Sequence, residues 1–349
     1  MRIAATAPAI RIMASGGKGF DALLLTKRPR PATLAPMKTH RILCVALTPA
    51  WQEVIQFDAV RLGAVNRASD TTVCAAGKGV NVAKALQTLG GHPLLLGFVG
   101  GPAGRLLAAG LRRARVPNRF VVQPRPTRVC RTLVERGTRR VTELVEEAPL
   151  PDRAAWRKFF AGYRRLVHGS RLVVIAGAPM PGAPADVYAR LAREARNAGV
   201  PVIMDSRGEP LLGALPFKPL VAKLNREELE ATVGRPLFST QAIIAAARRL
   251  IGKGAQHVVV TAGSQGAWLV SPDRVWRFAP PPIKALNPIG SGDAMTAGIA
   301  FALARGFPLT EAVRRGVACG TANALTLLPA DLAPSSVRRL ISKIVVVQA

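Results

Sequence analysis

From residue 40 onward, short β-branched apolar runs alternate with longer segments of helical period, and this alternation limits the fold more than any other feature of the chain. The strand-like runs are residues 42–47, 93–98, 172–175, 202–204 and 257–261. The helix-like segments are residues 80–89, 103–114, 185–198, 226–233, 241–252, 293–305 and 310–328. Apolar strands separated by amphipathic helices are buried on both faces and lie parallel, joined by right-handed crossovers. The expected class is therefore α/β: a doubly wound, mostly parallel sheet flanked by helices, with ligands beyond the carboxyl ends of its strands. Residues 54–68 and 121–147 break the rhythm, alternating in polarity and turning at Arg136-Gly137. They read as a small antiparallel β flap, spanning about 50–70 and 119–147, placed beside the sheet as a lid. A decorative hairpin has the same local pattern.

Bulk properties exclude several function classes. Apolar residues make up 49% and charged residues 20%, the balance of a globular chain. No run approaches the roughly 20 apolar residues of a membrane-spanning helix. The expectation is a cytoplasmic protein without a membrane partner. Cys44, Cys74, Cys130 and Cys319 are far apart, without metal or redox spacing, and read as reduced thiols. The formal charge of +29 invites a nucleic-acid reading, but the cations are spread along the chain and aromatic residues are only 5%. No specific nucleic-acid partner is expected; the field would instead draw in anionic substrates. Residues 1–36 carry six cations against Asp21 alone and read as a basic, disordered extension or an over-extended start, with Met37 as the alternative start. Residues 37–349 then read as a single domain.

Four glycine- or amide-bearing motifs carry candidate chemistry. The stretch NPIGSGDAMTAGIAFALARG, residues 287–306, begins as a loop and becomes a helix near Asp293. Gly290, Ser291 and Gly292 let successive N–H groups converge on one anion at a helix N-terminus, and Asp293 projects into the same place. Phosphoryl transfer needs both parts: donors for the charge on the transferring group and a base for the acceptor hydroxyl. Taken alone, the motif is equally a glycine-rich turn with an Asp cap. In AAGKGVNVAKALQTLG, residues 75–90, Gly77 and Gly79 permit close approach to a ligand, Lys78 offers a point charge, and Asn81 opens a helix. In AKLNREELEATVG, residues 222–234, Asn225 and Glu228 share a helix face and could hold water-bound Mg²⁺, or simply form a capping box. In VVVTAGSQGAWLV, residues 258–270, a strand enters a tight turn at Gly263 and Gly266.

The order and spacing of these motifs resemble the PfkB, or ribokinase-like, carbohydrate kinases. Within that family the chain is most similar to the 1-phosphofructokinase and tagatose-6-phosphate kinase branch. Further matching text includes LTPA (47–50), TELVEEAP (142–149), GAPMPG (177–182) and MDSRG (204–208). The resemblance implies a ribokinase-like fold, ATP and Mg²⁺ as cofactors, and transfer of the γ-phosphoryl group to a sugar phosphate. It makes Asp293 the base and Gly290, Ser291 and Gly292 the anion hole. Asn225 and Glu228 would organise Mg²⁺ and the ATP phosphates, Glu228 through water. Thr261, Gly263 and Gly266 would line the nucleotide, with Gly320 and Asn323 flanking its base. Gln52, Gly77, Lys78, Gly79, Asn81 and Arg128 would face the sugar phosphate, and the lid could clasp a second copy as a homodimer.

Departures from the family pattern cluster on the acceptor side. Gln52 stands where relatives present an Asp to sugar hydroxyls, and Cys130 stands where they carry Asn. Ala176-Gly177-Ala178 replaces a Ser-Gly-Ser turn, and Ala76 replaces the first Gly of the Lys78 loop. Glu53 is no stand-in for the missing carboxylate, because on a strand it points to the opposite face. Asn287-Pro288 also removes the carboxylate that serves a K⁺ site in many relatives. Retained transfer chemistry with an altered acceptor is the expectation. Two alternatives stay open: a kinase for an unphosphorylated sugar or nucleoside, and a non-catalytic sugar-phosphate sensor on the same fold.

Overall fold

The computed structural model of the chain describes residues 41–349. The basic segment 1–36 and the alternative start at Met37 lie outside the described residues. In chain order the strands are β1 (Arg41–Ala46), β2 (Ala50–Phe57), β3 (Asp70–Ala76), β4 (His92–Val99), β5 (Asn118–Val122), β6 (Arg128–Glu135) and β7 (Val141–Val145). They continue with β8 (Leu172–Ala176), β9 (Val202–Asp205), β10 (Val221–Asn225), β11 (His257–Thr261), β12 (Ala267–Val270), β13 (Val275–Ala279) and β14 (Val345–Gln348). The helices are α1 (Lys78–Thr88), α2 (Gly101–Arg113), α3 (Arg153–Val167), α4 (Val187–Asn197) and α5 (Gly208–Ala214). After them come α6 (Arg226–Val233), α7 (Thr240–Gly252), α8 (Ser291–Ala304), α9 (Leu309–Asn323) and α10 (Pro334–Ile341).

The main sheet has ten strands in the order β14-β13-β12-β11-β10-β9-β8-β1-β4-β5. Its neighbours from β5 to β11 are parallel, and β11 to β14 pair antiparallel at one edge. Burial explains the composition of the centre: every residue of β8 (LVVIA) and β9 (VIMD) is buried, since helices cover both faces. One apolar layer joins the sheet to α1, α2, α8, α9 and α10, and the other joins it to α3, α4, α6 and α7. α8 and α9 cross closely because small residues meet there; a Cβ on Gly298 would come within 2.7 Å of the Cys319 sulfur. β1 separates the strands that run toward β5 from those that run toward β11, so the crevice beyond its carboxyl end is the switch point of the fold.

A second sheet, ordered β3-β2-β6-β7, stands beside this crevice. Its outer pairs are antiparallel and its central pair, β2 and β6, is parallel. Both central strands leave the same end of the main sheet, β2 after β1 and β6 after β5, and so they run the same way. The hairpin between β6 and β7 turns at Arg136 and Gly137 as expected. The sheet is rooted on α2, where a Cβ on Gly110 would lie 3.6 Å from the Trp51 ring. Helix α9 ends at Asn323, earlier than the apolar pattern to residue 328 suggests, because Asn323 turns inward to hold two loops.

Gly79 shows how tightly the crevice is built. A Cβ there would run into the Val45 carbonyl and come within 2.8 Å of the Ala46 Cβ, both on the fixed backbone of β1. Gly79→Ala is predicted to destabilise the fold by about 1–3 kcal/mol, the scale of overpacking in a rigid core. Urea unfolding checks this; an unchanged midpoint would show that α1 can lift from β1 freely.

Candidate active site

The carboxyl ends of β8 to β11 bring together groups that lie far apart in sequence. Strand register sets Ala176 beside Asp205, Asp205 beside Lys223, and Asn225 beside Thr261. Asp205 and Lys223 are 0% and 3% exposed and share a bond of 2.9 Å. The Thr296 hydroxyl, one turn into α8, donates to the same Asp205 oxygen at 2.6 Å. The other Asp205 oxygen lies 3.6 Å from the Lys78 ammonium, which also donates to Glu228 Oε1 at 2.7 Å. Asn81 donates through Nδ2 to Asp293 Oδ2 at 2.7 Å, and its own Oδ1 is buried without a partner. The site thus holds two ammonium groups among three carboxylates.

Burial alone would raise every one of these carboxylates, and the neighbours decide which of them stay low. Asp205 ends below its usual value because the Lys223 and Lys78 charges outweigh burial. Glu228 is also lowered, chiefly by Lys78. Asp293 goes the other way: burial, then the nearby Asp205 charge, push it up to about 7, against the pull of Lys78 and the Asn81 hydrogen bond. Lys78 is raised despite its burial, by Asp205, Glu228 and Asp293, and stays charged. The surroundings thus drive Asp205 and Asp293 apart, the first held below its usual value and the second raised to about 7.

The turn at Gly290, Ser291 and Gly292 is built by its glycines and by two buried amides. Gly290 caps α8 at φ +82°, a conformation open to glycine, and a Cβ there would come within 2.7 Å of the Pro329 Cβ. The Lys223 ammonium lies 3.4 Å from where a Gly292 Cβ would stand, so a fixed charge sits at the turn. Asn287 accepts from the Ile289 N–H at 3.0 Å, and fully buried Asn323 donates to the Ile289 carbonyl and to Ser291 Oγ. Asn323 also accepts from Ala330 N–H at 2.7 Å, and a Cβ on Gly320 would lie 2.9 Å from the Ser291 carbonyl. Both residues therefore lie under the turn, with no polar atom of Asn323 left for a base. At the end of β10, Asn225 and Glu228 form a reciprocal capping box, at 2.6 and 2.9 Å. Gly263 and Gly266 take φ of +53° and +93°, and a Cβ on Gly266 would run into the Phe278 carbonyl.

The residues expected to face the acceptor lie largely on and around the second sheet. Gln52 faces Cys130 and Cys74 in register and donates to Thr132 Oγ1 at 2.8 Å. Glu53 points the other way and pairs with Arg131 at 3.0 Å. Arg128 donates to the Thr48 carbonyl at 2.9 Å and to the Glu146 carbonyl at 3.0 Å, leaving its buried Nε without a partner. Gly77 takes φ +102° against the Thr48 carbonyl, and Gly177 packs 3.6 Å, by its would-be Cβ, from the Lys78 Cβ. Lys78 is held between Glu228 and Asp205 rather than aimed at the lid. Asp205, Lys223 and Thr296 were not among the expected site residues. Their one local signal is a charged residue inside, or closing, an otherwise buried apolar strand: Lys223 in VAKLN and Asp205 in VIMD.

A buried carboxyl raised by its surroundings is a cost to folding when it must ionise. Its folded pKa lies near 7 against an unfolded value of 3.8, so the cost is absent below about pH 4 and grows until pH passes 7. Asp293→Asn is therefore predicted to be more stable than the parent at pH 8, by on the order of 2–4 kcal/mol. The advantage should shrink at pH 5. Unfolding at both pH values checks the sign; equal stability throughout would mean that Asp293 is not held in a hostile site.

Comparison with known proteins fits this geometry. The model of the pfkB family carbohydrate kinases matches residues 40–334. A putative phosphofructokinase from Staphylococcus aureus is 28% identical, with a TM-score of 0.74 over 88% of this chain and 99% of its own. Phosphofructokinase-2 from Escherichia coli in complex with fructose-6-phosphate is 28% identical, with a TM-score of 0.80 over 86% of this chain and 98% of its own. A possible 1-phosphofructokinase from Thermotoga maritima shares the fold at 22% identity, with a TM-score of 0.78 over 89% and 100% of the two chains. The sheet order and flanking helices are those of the ribokinase-like fold. On the family match and the shared fold, the chain belongs to the pfkB family of carbohydrate kinases and is an ATP-dependent sugar kinase.

Proposed function

We propose that this kinase phosphorylates a hydroxyl of a sugar phosphate, as 1-phosphofructokinases and tagatose-6-phosphate kinases do. The observation that carries the reading is Asp293, a buried carboxyl raised to about 7 at the mouth of the Gly290, Ser291 and Gly292 turn. A base poised near neutral pH takes the acceptor proton most effectively. The acceptor oxygen attacks the γ-phosphorus, its proton passes to Asp293, and the bond from the γ-phosphorus to the bridging oxygen breaks to release ADP. The turn N–H groups and the Lys223 ammonium stabilise charge on the transferring group. Lys78 spans the two sides, being tied to Glu228 and Asp205 yet rooted in α1 beside Asn81.

No cluster of three or more His, Cys, Asp or Glu side chains among the described residues could cage a metal. That fits Mg²⁺ carried on the ATP phosphates and touching Glu228 through water, since both Glu228 oxygens already accept hydrogen bonds. When bound, the ion would neutralise phosphate charge. On the acceptor side, the free Nε of Arg128 supports a phosphorylated substrate, and the similar enzyme solved with fructose-6-phosphate supports a ketohexose phosphate. Exposed Leu144 and Val145 on β7, with exposed Leu62 and Val65 in the loop between β2 and β3, support a homodimer that clasps through the second sheet. Among the described residues, no helix is long and apolar enough to cross a membrane.

ADP release from MgATP across fructose 1-phosphate, fructose 6-phosphate, tagatose 6-phosphate, free hexoses and nucleosides tests the substrate class. Turnover is predicted to be fastest with one of the phosphorylated ketohexoses, and Asp293→Asn should lower it by at least ~10²-fold while the chain stays folded. A free hexose or nucleoside preferred over all three phosphates would overturn the substrate class. Near-normal turnover of the variant would overturn the base.

A further inference from the structure

Away from the active site, α3 and α4 carry a dense group of cations without ion pairs among the described residues. α3 presents Arg153, Arg157, Lys158, Arg164 and Arg165, and α4 presents Arg190, Arg193 and Arg196. None of these eight makes an ion pair within 4.0 Å among the described residues, although pairs form elsewhere on the surface. Between the helices lies a cavity of about 180 Å³ lined by Phe160, Tyr163, Arg164, Arg190, Arg193 and Glu194. Its floor is fixed, because the Tyr163 hydroxyl donates to the Leu191 carbonyl at 2.9 Å and so ties α3 to α4. One wall is a stack: the Trp156 and Phe160 rings lie 5.6 Å apart at 25°, and the Arg190 guanidinium lies 3.7 Å from the Phe160 centroid.

Arg190 is the telling residue. It is half-buried, its plane is set by the Phe160 ring, and yet it donates no hydrogen bond to the protein among the described residues. Arg164 and Arg193, exposed at the rim, donate none either. Three guanidinium groups around one small cavity repel one another, and Glu194, the single carboxylate in the lining, lies beyond 4.0 Å of each. An oxyanion offering several acceptors would relieve that repulsion and use the free N–H forks, which match phosphate geometry.

We propose that this cavity is a second anion site, distinct from the catalytic crevice, that takes a phosphoryl or pyrophosphoryl group. Its size suits a compact phosphate group. The group could belong to a free phosphorylated metabolite or to a phosphodiester backbone lying along the surrounding cations, and the two sources differ in salt response.

Inorganic pyrophosphate is the probe. Titration calorimetry on the intact protein, with the catalytic crevice filled by a non-hydrolysable ATP analogue and Mg²⁺, should still detect one pyrophosphate per chain. Arg164→Gln with Arg193→Gln should weaken that binding at least ~10-fold, and Arg190→Gln should do the same, while turnover with the preferred sugar phosphate is unchanged. A short DNA duplex that displaces pyrophosphate, with affinity falling steeply as salt rises, would assign the site to a backbone phosphate. Displacement by a sugar phosphate alone would assign it to a metabolite. Absence of any pyrophosphate binding under these conditions, or equal binding by all variants, would overturn the proposal.

Discussion

The buried pair of Asp205 and Lys223 is the interaction on which the active site depends. An isolated charge at either position would be prohibitive, and removing one partner of such a pair costs about 3–5 kcal/mol. Together they form a fixed dipole at the carboxyl ends of two neighbouring strands, and everything around it is set by that dipole. Thr296 fastens α8 to Asp205, which fixes where the helix of the base begins. Lys78 is drawn toward Asp205 and Glu228, which holds the start of α1 and hence Asn81 against Asp293. Asp205 keeps its negative charge and thereby lifts Asp293. The same buried charge both anchors the site and adds to the effect of burial in raising Asp293 toward neutrality.

The fold was legible because it rests on local signals. Apolar runs buried on both faces, such as residues 172–175 and 202–204, have few alternatives to a central parallel sheet. The glycine turn into α8 was legible for the same reason, since Gly290, Ser291, Gly292 and Asp293 are contiguous. What could not be read were the pairings that register creates. Asp205 and Lys223 are 18 residues apart, Lys78 and Glu228 are 150 apart, and nothing in either segment names its partner. Asn323 was placed by pattern beside a base, whereas its burial assigns it to the scaffold of the turn. Helix α3 had a readable period in Trp156, Phe159, Tyr163 and Leu166, with Asp152 as its cap, but its dense arginines obscured the apolar stripe.

The two sides of the crevice are built on different principles. The main-sheet side is tightly built: strand ends, a reciprocal capping box, and glycines pressed on backbone at Gly266 and Gly290. The other side hangs on the second sheet, whose root packs on α2 and whose outer residues are exposed. Gln52 and Cys130 face each other there, and Thr132 holds the Gln52 amide. A neutral amide in a row with thiols is a gentler environment for substrate hydroxyls than a carboxylate, which is where a change of acceptor would be written. On the proposed reading, chemistry on the main sheet and selectivity on the second sheet is a division that allows one to change without the other.

The dependence of kcat/KM on pH, for the parent and for Asp205→Asn, tests the central claim most directly. Asp293 acts as a base only when ionised, so the parent should lose activity as pH falls through about 7. Removing the Asp205 charge lowers the affinity of Asp293 for its proton, and it leaves Lys78 and Lys223 less neutralised, which acts in the same direction. The acidic limb of the folded variant should therefore move to lower pH. A limb that stays near the parent midpoint would contradict the account, because the Asp205 charge would then add nothing to what burial does to Asp293.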